Sequence, residues 1–339
     1  MADPVSPDVG AWAALREGAA ASPLDDRRLL TVRGEDRASF LQGMLTNEVR
    51  GLAPGQGRHA LLLNEQGRVV AELRVFADAS EIRLDVSGDR VAALCEGLER
   101  FIVADDVEID VGPEVAVALR GPRAPDVLAT LAPPAGPAVR GLGECDHVEV
   151  EIGGRAVRVA RVRDLGVEGL HLWVGTREVA GEILARCTGA GAVAATAGAL
   201  EALRIAGGWA REGVDFDSQT LVSEVPSLAR GISFRKGCYL GQEVVERVAA
   251  RGHVNWLVVG LRARRAPADG GGWPVGSVVH EGDAEVGRIS SAARLPDEGG
   301  LVMVARVRRT AATPGARLSV ESADGAVEVE VSGDPGSKA

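Results

Sequence analysis

Two stretches of this chain repeat one pattern. "EIRLDVSGDRVAALCEGLERF" (81–101) and "GLHLWVGTREVAGEILARC" (169–187) each open on an alternating strand, cross a small polar turn and enter a helix with apolar residues three and four apart. An alternating strand has one face to bury, and a helix with one apolar stripe can cover it. The duplication therefore predicts an α+β architecture of two related halves, with helices over one face of each sheet, rather than one doubly wound sheet. Ser87 and Thr176 occupy matching places as expected helix caps. The change from one half to the other is expected near 112–120.

The remaining segments fit around that unit. "LLTVRGEDRASFLQGMLTNEV" reads as strand, turn and helix, with Asp36 as cap and Phe40, Leu41, Met44 and Leu45 as the apolar stripe. Gln42, Thr46 and Asn47 fall off that stripe and suit solvent exposure, C-terminal capping of the helix, or a polar wall facing a ligand. "HALLLNEQGRVVAELRVF" predicts a β-hairpin turning at Asn64 to Gly67. A helix is expected over 197–205, and 213–234 reads as irregular chain suited to lining a site. Beyond Arg251, short strand patterns separated by Gly, Pro and Asp turns predict an all-β C-terminal domain, with an exposed loop at 268–276 and a loose end after Ser332.

Charge and cysteine usage narrow the function classes. A formal net charge of -10, with basic residues spread among acids, opposes broad binding of a nucleic-acid backbone. The first residues lack a basic start and apolar run, and no segment approaches the ~20 apolar residues of a membrane span, so the expected setting is the cytoplasm, away from membranes. Cysteines at 95, 145, 187 and 238 are widely scattered, which argues against a disulfide framework or an intrinsic metal centre. Phosphate-loop and dinucleotide fingerprints are missing from the glycine-containing turns.

The strongest local chemistry lies in "RKGCYLGQEVVERV" (235–248). Arg235 and Lys236 precede Cys238, Gly237 permits a tight turn, and a helix starting near Gly241 would favour an anion at its N-terminus. Those features suit a reactive thiol, and equally a cysteine that supports the turn. Tyr239, the chain's single tyrosine, suits stacking on a planar ligand or packing. Gln242 offers donor and acceptor groups, while Glu243 and Arg247 are spaced to pair along one helix face.

"KGCYLGQEVVERVAARG" resembles the signature of the YgfZ-like folate-binding proteins, a branch of the superfamily that includes the glycine cleavage T protein. The resemblance continues through "FLQGMLTNEV", "LLLNEQGRVVAELRVF" and "EALRIAGGWAREGVDF", covering roughly residues 24–330. It implies a folate-binding body of two related α+β subdomains plus a small C-terminal β-barrel. The implied divisions are an extension at 1–23 and a first subdomain at 24–118. A second at 119–250 has segments returning to the first and carries the Cys238 motif; a barrel at 251–332 and a flexible tail at 333–339 follow.

By the same resemblance, tetrahydrofolate or a derivative is the cofactor, and iron-sulfur proteins or cluster assembly factors are the partners. Cys238 becomes the functional thiol, supported by Lys236 and Tyr239. Asn47, Asn64, Glu72, Arg204, Gln242 and Glu243 become the folate-binding set. The resemblance implies a tetrahydrofolate-binding accessory protein for iron-sulfur assembly, maintenance or repair. Folate-dependent aminomethyl transfer and a non-catalytic scaffold are the alternatives.

Two departures bear on this choice. The glycine cleavage T proteins carry paired acids where this chain has Ala71-Glu72, and adjacent strand residues face opposite ways, so the loss at Ala71 is expected to weaken aminomethyl transfer. Ala206 stands where relatives carry a carboxylate suited to the polar edge of a pterin.

Overall fold

The computed structural model describes residues 4–263, 275–296, 300–322 and 325–332; the expected tail, and most of the expected loop at 268–276, lie outside the described residues. The chain forms two compact units. One comprises Ala13–Ala195 and Arg230–Val244; the other comprises Met1–Trp12, Thr196–Ala229 and Val245–Ala339.

In chain order, α1 (Val9–Glu17), β1 (Ala20–Leu24), β2 (Arg27–Arg33), α2 (Arg37–Met44), β3 (Gly57–Leu63), β4 (Val69–Ala77), β5 (Ile82–Ser87), α3 (Val91–Glu99) and β6 (Glu108–Val111) come first. They are followed by β7 (Val115–Arg120), α4 (Ala124–Leu131), α5 (Gly136–Arg140), β8 (His147–Ile152), β9 (Arg155–Asp164), β10 (Val167–Val174), α6 (Arg177–Gly189) and β11 (Val193–Ala194).

Two sheets, ordered β3-β4-β5-β2-β6 and β11-β1-β7-β10-β9-β8, make up the first unit. Alternation along the strands assigns one face of each sheet to helices. Leu30, Ala60, Leu62, Ala71, Leu73, Val75 and Leu84 pack with Phe40, Leu41, Leu94 and Leu98 from α2 and α3. Likewise Val117, Leu119, Val159, Leu170 and Leu172 pack with Leu128 of α4 and Ile183 of α6. The other faces of the two sheets meet through Leu24, Leu29, Phe76, Ala116, Ala118, Ala160, Val162 and Trp173. The result is four layers: helix, sheet, sheet, helix. Removing a side chain such as Leu73 or Leu172, each wholly buried, would cost ~2–5 kcal/mol.

Several sequence expectations change at this level. The segment expected to precede the body contains β1, which lies between β11 and β7 in the second sheet. Its five residues, "AASPL", are too short and small to announce a strand. Asp36 does not cap α2 with its side chain; its carboxylate instead accepts from the Asp106 backbone N–H at 3.0 Å. Ser87 makes no cap either, because a 3-10 turn over Gly88–Arg90 separates it from α3. Thr176 does accept from Val179 N–H at the start of α6.

In the second unit, α7 (Ala197–Ala206) is capped by Thr196, and α8 (Gln242–Arg251) leads into the barrel strands. These are β12 (Trp256–Ala263), β13 (Val278–Glu281), β14 (Ala284–Arg294), β15 (Leu301–Arg308), β16 (Arg317–Ser322) and β17 (Gly325–Val331). They close in the order β12-β15-β14-β13-β16-β17 around Leu261, Val279, Ile289, Met303, Val307 and Val329. Residues 196–229, expected with the second α+β subdomain, group with the barrel instead. The reason is a buried polar tie: Arg204 donates to Ser291 on β14, and Ser291 donates to Asp215.

Candidate functional site

Three of the quoted pieces meet at one end of the first sheet: the end of α2, the β3–β4 turn and the turn that carries Cys238. Lys236 is buried and turned inward, donating from Nζ to the carbonyls of Gln42 at 2.6 Å, Leu45 at 2.5 Å and Asn47 at 3.0 Å. An ammonium has three protons to give, and these carbonyls lie at and beyond the end of α2, where helical acceptors run out. Burial draws the ammonium down to about 8, so it remains charged at neutral pH. Sequence reasoning set Lys236 beside the thiol; the fold gives it to the end of α2. Tyr239 is buried rather than offered as a platform, with Lys236 Nζ 5.3 Å from its ring centroid.

The other predicted polar residues hold backbone. Asn64 Oδ1 accepts from Gln66 N–H and Arg68 N–H, closing the β3–β4 turn. Asn47 Nδ2 donates to the His59 carbonyl at 2.9 Å, and Thr46 Oγ1 joins the Leu61 N–H to the Gly231 carbonyl. Gln42 Oε1 accepts from Val49 N–H and Arg50 N–H in the segment after α2, so it braces that segment rather than capping the helix end. Gln242 Oε1 accepts from Tyr239 N–H at 3.2 Å, bracing the turn that carries Cys238. Cys238 is exposed, as is Glu243 in the first turn of α8.

Arg204 belongs to the second unit and has little left to offer a ligand. It bonds both oxygens of Glu201, the Asp215 carboxylate, the Trp209 carbonyl and Ser291.

Titratable chemistry gathers on the face of the first sheet turned away from its helices. Along β4, Ala71, Leu73 and Val75 enter the helix-covered core, whereas Glu72, Arg74 and Phe76 point the other way. Glu72 is 31% exposed, and its Oε1 lies 2.6 Å from His59 Nε2 and 3.8 Å from Arg230 Nη2. Arg230 also pairs with Glu144 through Nη1. Burial opposes ionisation of Glu72, but the hydrogen bond from His59 and the charges of Arg230 and Arg74 bring its carboxyl down to about 2.

Behind it, Arg74 and Arg27 bind the wholly buried Asp85 at 3.0 and 2.6 Å. His171 of β10 stands between Asp85 at 3.6 Å and Asp164 at 3.1 Å, and Arg120 bonds both oxygens of Asp164. These charges therefore join the two sheets across their shared interior.

His59, Arg74, Asp85, Glu144, Asp164, His171 and Arg230 were missed by sequence reasoning. One signal was present: in "VVAELRVF", Glu72 and Arg74 are two apart in an otherwise apolar strand, which puts both on one face. A separate cavity of ~330 Å³ lies among Gly121, Asp126, Arg140, Arg161 and Glu168, and none of the predicted residues lines it. Among the described residues, no group of three or more His, Cys, Asp and Glu side chains is placed to hold a metal ion, and no helix is long and apolar enough to cross a membrane.

A family model described as the GCVT N-terminal domain matches residues 12–236. The chain belongs to that family. It is similar to the aminomethyltransferase of Mycobacterium leprae, at 28% identity over 309 residues, covering 88% of this chain and 80% of the relative. The aminomethyltransferase of Thermosynechococcus vestitus is 26% identical over 299 residues, covering 87% and 78%. Among solved structures, the glycine cleavage system aminomethyltransferase T from Bartonella henselae aligns with a TM-score of 0.83 at 20% identity, over 96% of this chain and 88% of that one. The α+β body with two sheets and a closed C-terminal barrel is the fold of this family.

Placing Ala71 in this fold changes what its loss means. Its side chain is wholly buried in the helix-covered core, so a carboxylate there would not face the polar cluster. Glu72 is the acid that does.

Proposed function

We propose that this chain binds a reduced folate at the Glu72 face of its first unit and acts in one-carbon transfer of the aminomethyltransferase type. One observation carries the reading: the described contacts of Glu72 all fall on Oε1, leaving Oε2 on a partly exposed, ionised carboxylate to receive a ligand N–H. Relatives that align with this chain over most of their length are named aminomethyltransferases, which supports the same chemistry.

The residues suit the ligand. A reduced pterin presents an edge of N–H donors, which a carboxylate accepts. Tetrahydrofolate, when bound, supplies the secondary amine that takes up the one-carbon unit. Glu72 would hold the proton of that amine in place, and Arg230 would keep Glu72 anionic.

The test is a titration with tetrahydrofolate. Wild type is expected to saturate below ~1 mM, and Glu72→Gln to bind roughly 10- to 100-fold more weakly, the worth of one charge-assisted hydrogen bond. Equal binding by both proteins, or no saturation of either, would refute the reading.

A second reading, accessory action on iron-sulfur proteins or their assembly factors, is favoured by exposed Cys238 on its braced turn and by the YgfZ-like signature around it. In cells lacking the endogenous homologue, loss of cluster-enzyme rescue by Cys238→Ala at equal protein abundance would support it. Aminomethyl turnover by purified Cys238→Ala at the wild-type rate would keep the two roles separate.

A further inference from the structure

His59 lies on β3 diagonally across from Glu72 on β4, where the register pairs His59 with Arg74 and Leu61 with Glu72. Its side chain is 4% exposed. The imidazole is boxed in: a Cβ added at Gly231 would stand 2.9 Å from Nδ1 and 3.0 Å from Cε1. Asn47 fixes the strand beneath it through the His59 carbonyl. Nδ1 is buried without a hydrogen-bond partner, while Nε2 meets Glu72 Oε1 at 2.6 Å.

This arrangement selects one tautomer. A proton on Nδ1 would be a buried donor with no acceptor and would set the Nε2 lone pair against a carboxylate; a proton on Nε2 makes the bond to Glu72. Protonation of both nitrogens is opposed as well. Burial first, and then the Arg230 charge, lower the imidazole below its usual value, with Glu72 acting in the opposite sense and Arg74 adding to the lowering. The charged groups around the pair are thus Glu72 and Arg74 on β4 and Arg230 on the returning segment, with Glu144 beyond Arg230 and Asp85 beyond Arg74.

We infer that neutral His59 is the positioning residue of the Glu72 carboxylate, its Nε2–H anchoring Oε1 so that Oε2 is the oxygen presented to ligand. The inference rests on the proposed reading of Glu72 as the folate-facing acid. It adds that the orientation and ionisation of that acid are set by a buried histidine that need not touch ligand.

Ligand-free protein provides the first test. The Glu72 side-chain carboxyl is followed by carbon-13 NMR, its resonance assigned by its absence in Glu72→Gln. In wild type it should stay ionised from about pH 4 to 8, whereas in His59→Phe, which keeps a ring but loses the donor, its titration should move up by about one to two pH units. His59→Gln, whose amide N–H can donate at similar reach, should restore wild-type behaviour. Gly231→Ala, which crowds the ring without removing either side chain, should shift the titration in the same direction as His59→Phe and gives a readout if that variant does not fold.

Tetrahydrofolate binding at pH 7.5 gives the second readout. His59→Phe, in which Oε1 is no longer anchored, should bind roughly tenfold more weakly than wild type, and His59→Gln should bind like wild type. A Glu72 titration unmoved in both His59→Phe and Gly231→Ala would overturn the inference, as would His59→Gln behaving like His59→Phe. Absence of folate binding by wild type would instead remove the folate reading, while the ligand-free titration would still decide the role of His59.

Discussion

At the scale of single residues, the four cysteines differ by environment. Burial pushes the Cys145 thiol up to about 12 and the Cys187 thiol up to about 11; burial and then Glu99 raise half-buried Cys95. Cys238 alone among the four is exposed. Alkylation proceeds through the thiolate, so reactivity follows access and ionisation together. Native protein treated with iodoacetamide near pH 8 is therefore expected to take up one equivalent at Cys238, at least ~10-fold faster than at any other site. Peptide mass spectrometry reads the position, and labelling of Cys95 at a matching rate would count against this account. The sequence singled out the cysteine but did not disclose what surrounds it. It placed Lys236 as an electrostatic aid to the thiol, whereas three backbone carbonyls take up the ammonium.

At the scale of elements, the signature segment works as a brace between the end of α2, the β3–β4 turn and the start of α8. Gly241 is its tightest point. Its φ is +80°, and a Cβ there would lie 2.4 Å from the Asn64 carbonyl oxygen, which belongs to the hairpin turn. Backbone strain and collision act together, so Gly241→Ala should lower the stability of the protein by ~1–3 kcal/mol in urea denaturation. Gly237 is exposed and has nothing within 4 Å of its added Cβ, so Gly237→Ala should change stability by less than ~0.5 kcal/mol. Similar losses in both variants would contradict the brace. This element-level logic also marks what the sequence could disclose. The repeated strand–helix unit revealed the helix-covered faces because Ile82, Leu84 and Val86, and likewise Leu170 and Leu172, alternate cleanly. The stacking of the two sheets was hidden, because their shared interior mixes Phe76 and Trp173 with Glu72, Arg74, Asp85 and His171, the pattern of a wet face.

At the scale of the molecule, those hidden charges make stability depend on pH. Burial opposes ionisation of Asp85, but Arg27, Arg74 and His171 hold its carboxyl far below the usual range; half-buried Asp164 is likewise held well below by Arg120 and His171. A carboxyl depressed in the folded state contributes stability that is complete above its unfolded value and is lost as pH falls toward its folded value. The lowered imidazole of His59 acts in the same direction from a higher starting point, because the unfolded chain binds its proton near pH ~6.5 and the folded chain resists it. Unfolding free energy measured in urea from pH 8 to 3.5 should therefore begin to decline below ~6.5 and steepen below ~4.5. Asp85→Asn removes one partner of a wholly buried charge cluster and leaves Arg27, Arg74 and His171 facing a neutral amide. It should cost ~3–5 kcal/mol at pH 7 and give a shallower acid limb, since one fewer proton is then taken up on unfolding. An acid limb parallel to that of wild type would mean that Asp85 is not ionised in the folded protein, and the electrostatic joining of the two sheets would have to be rebuilt around Asp164.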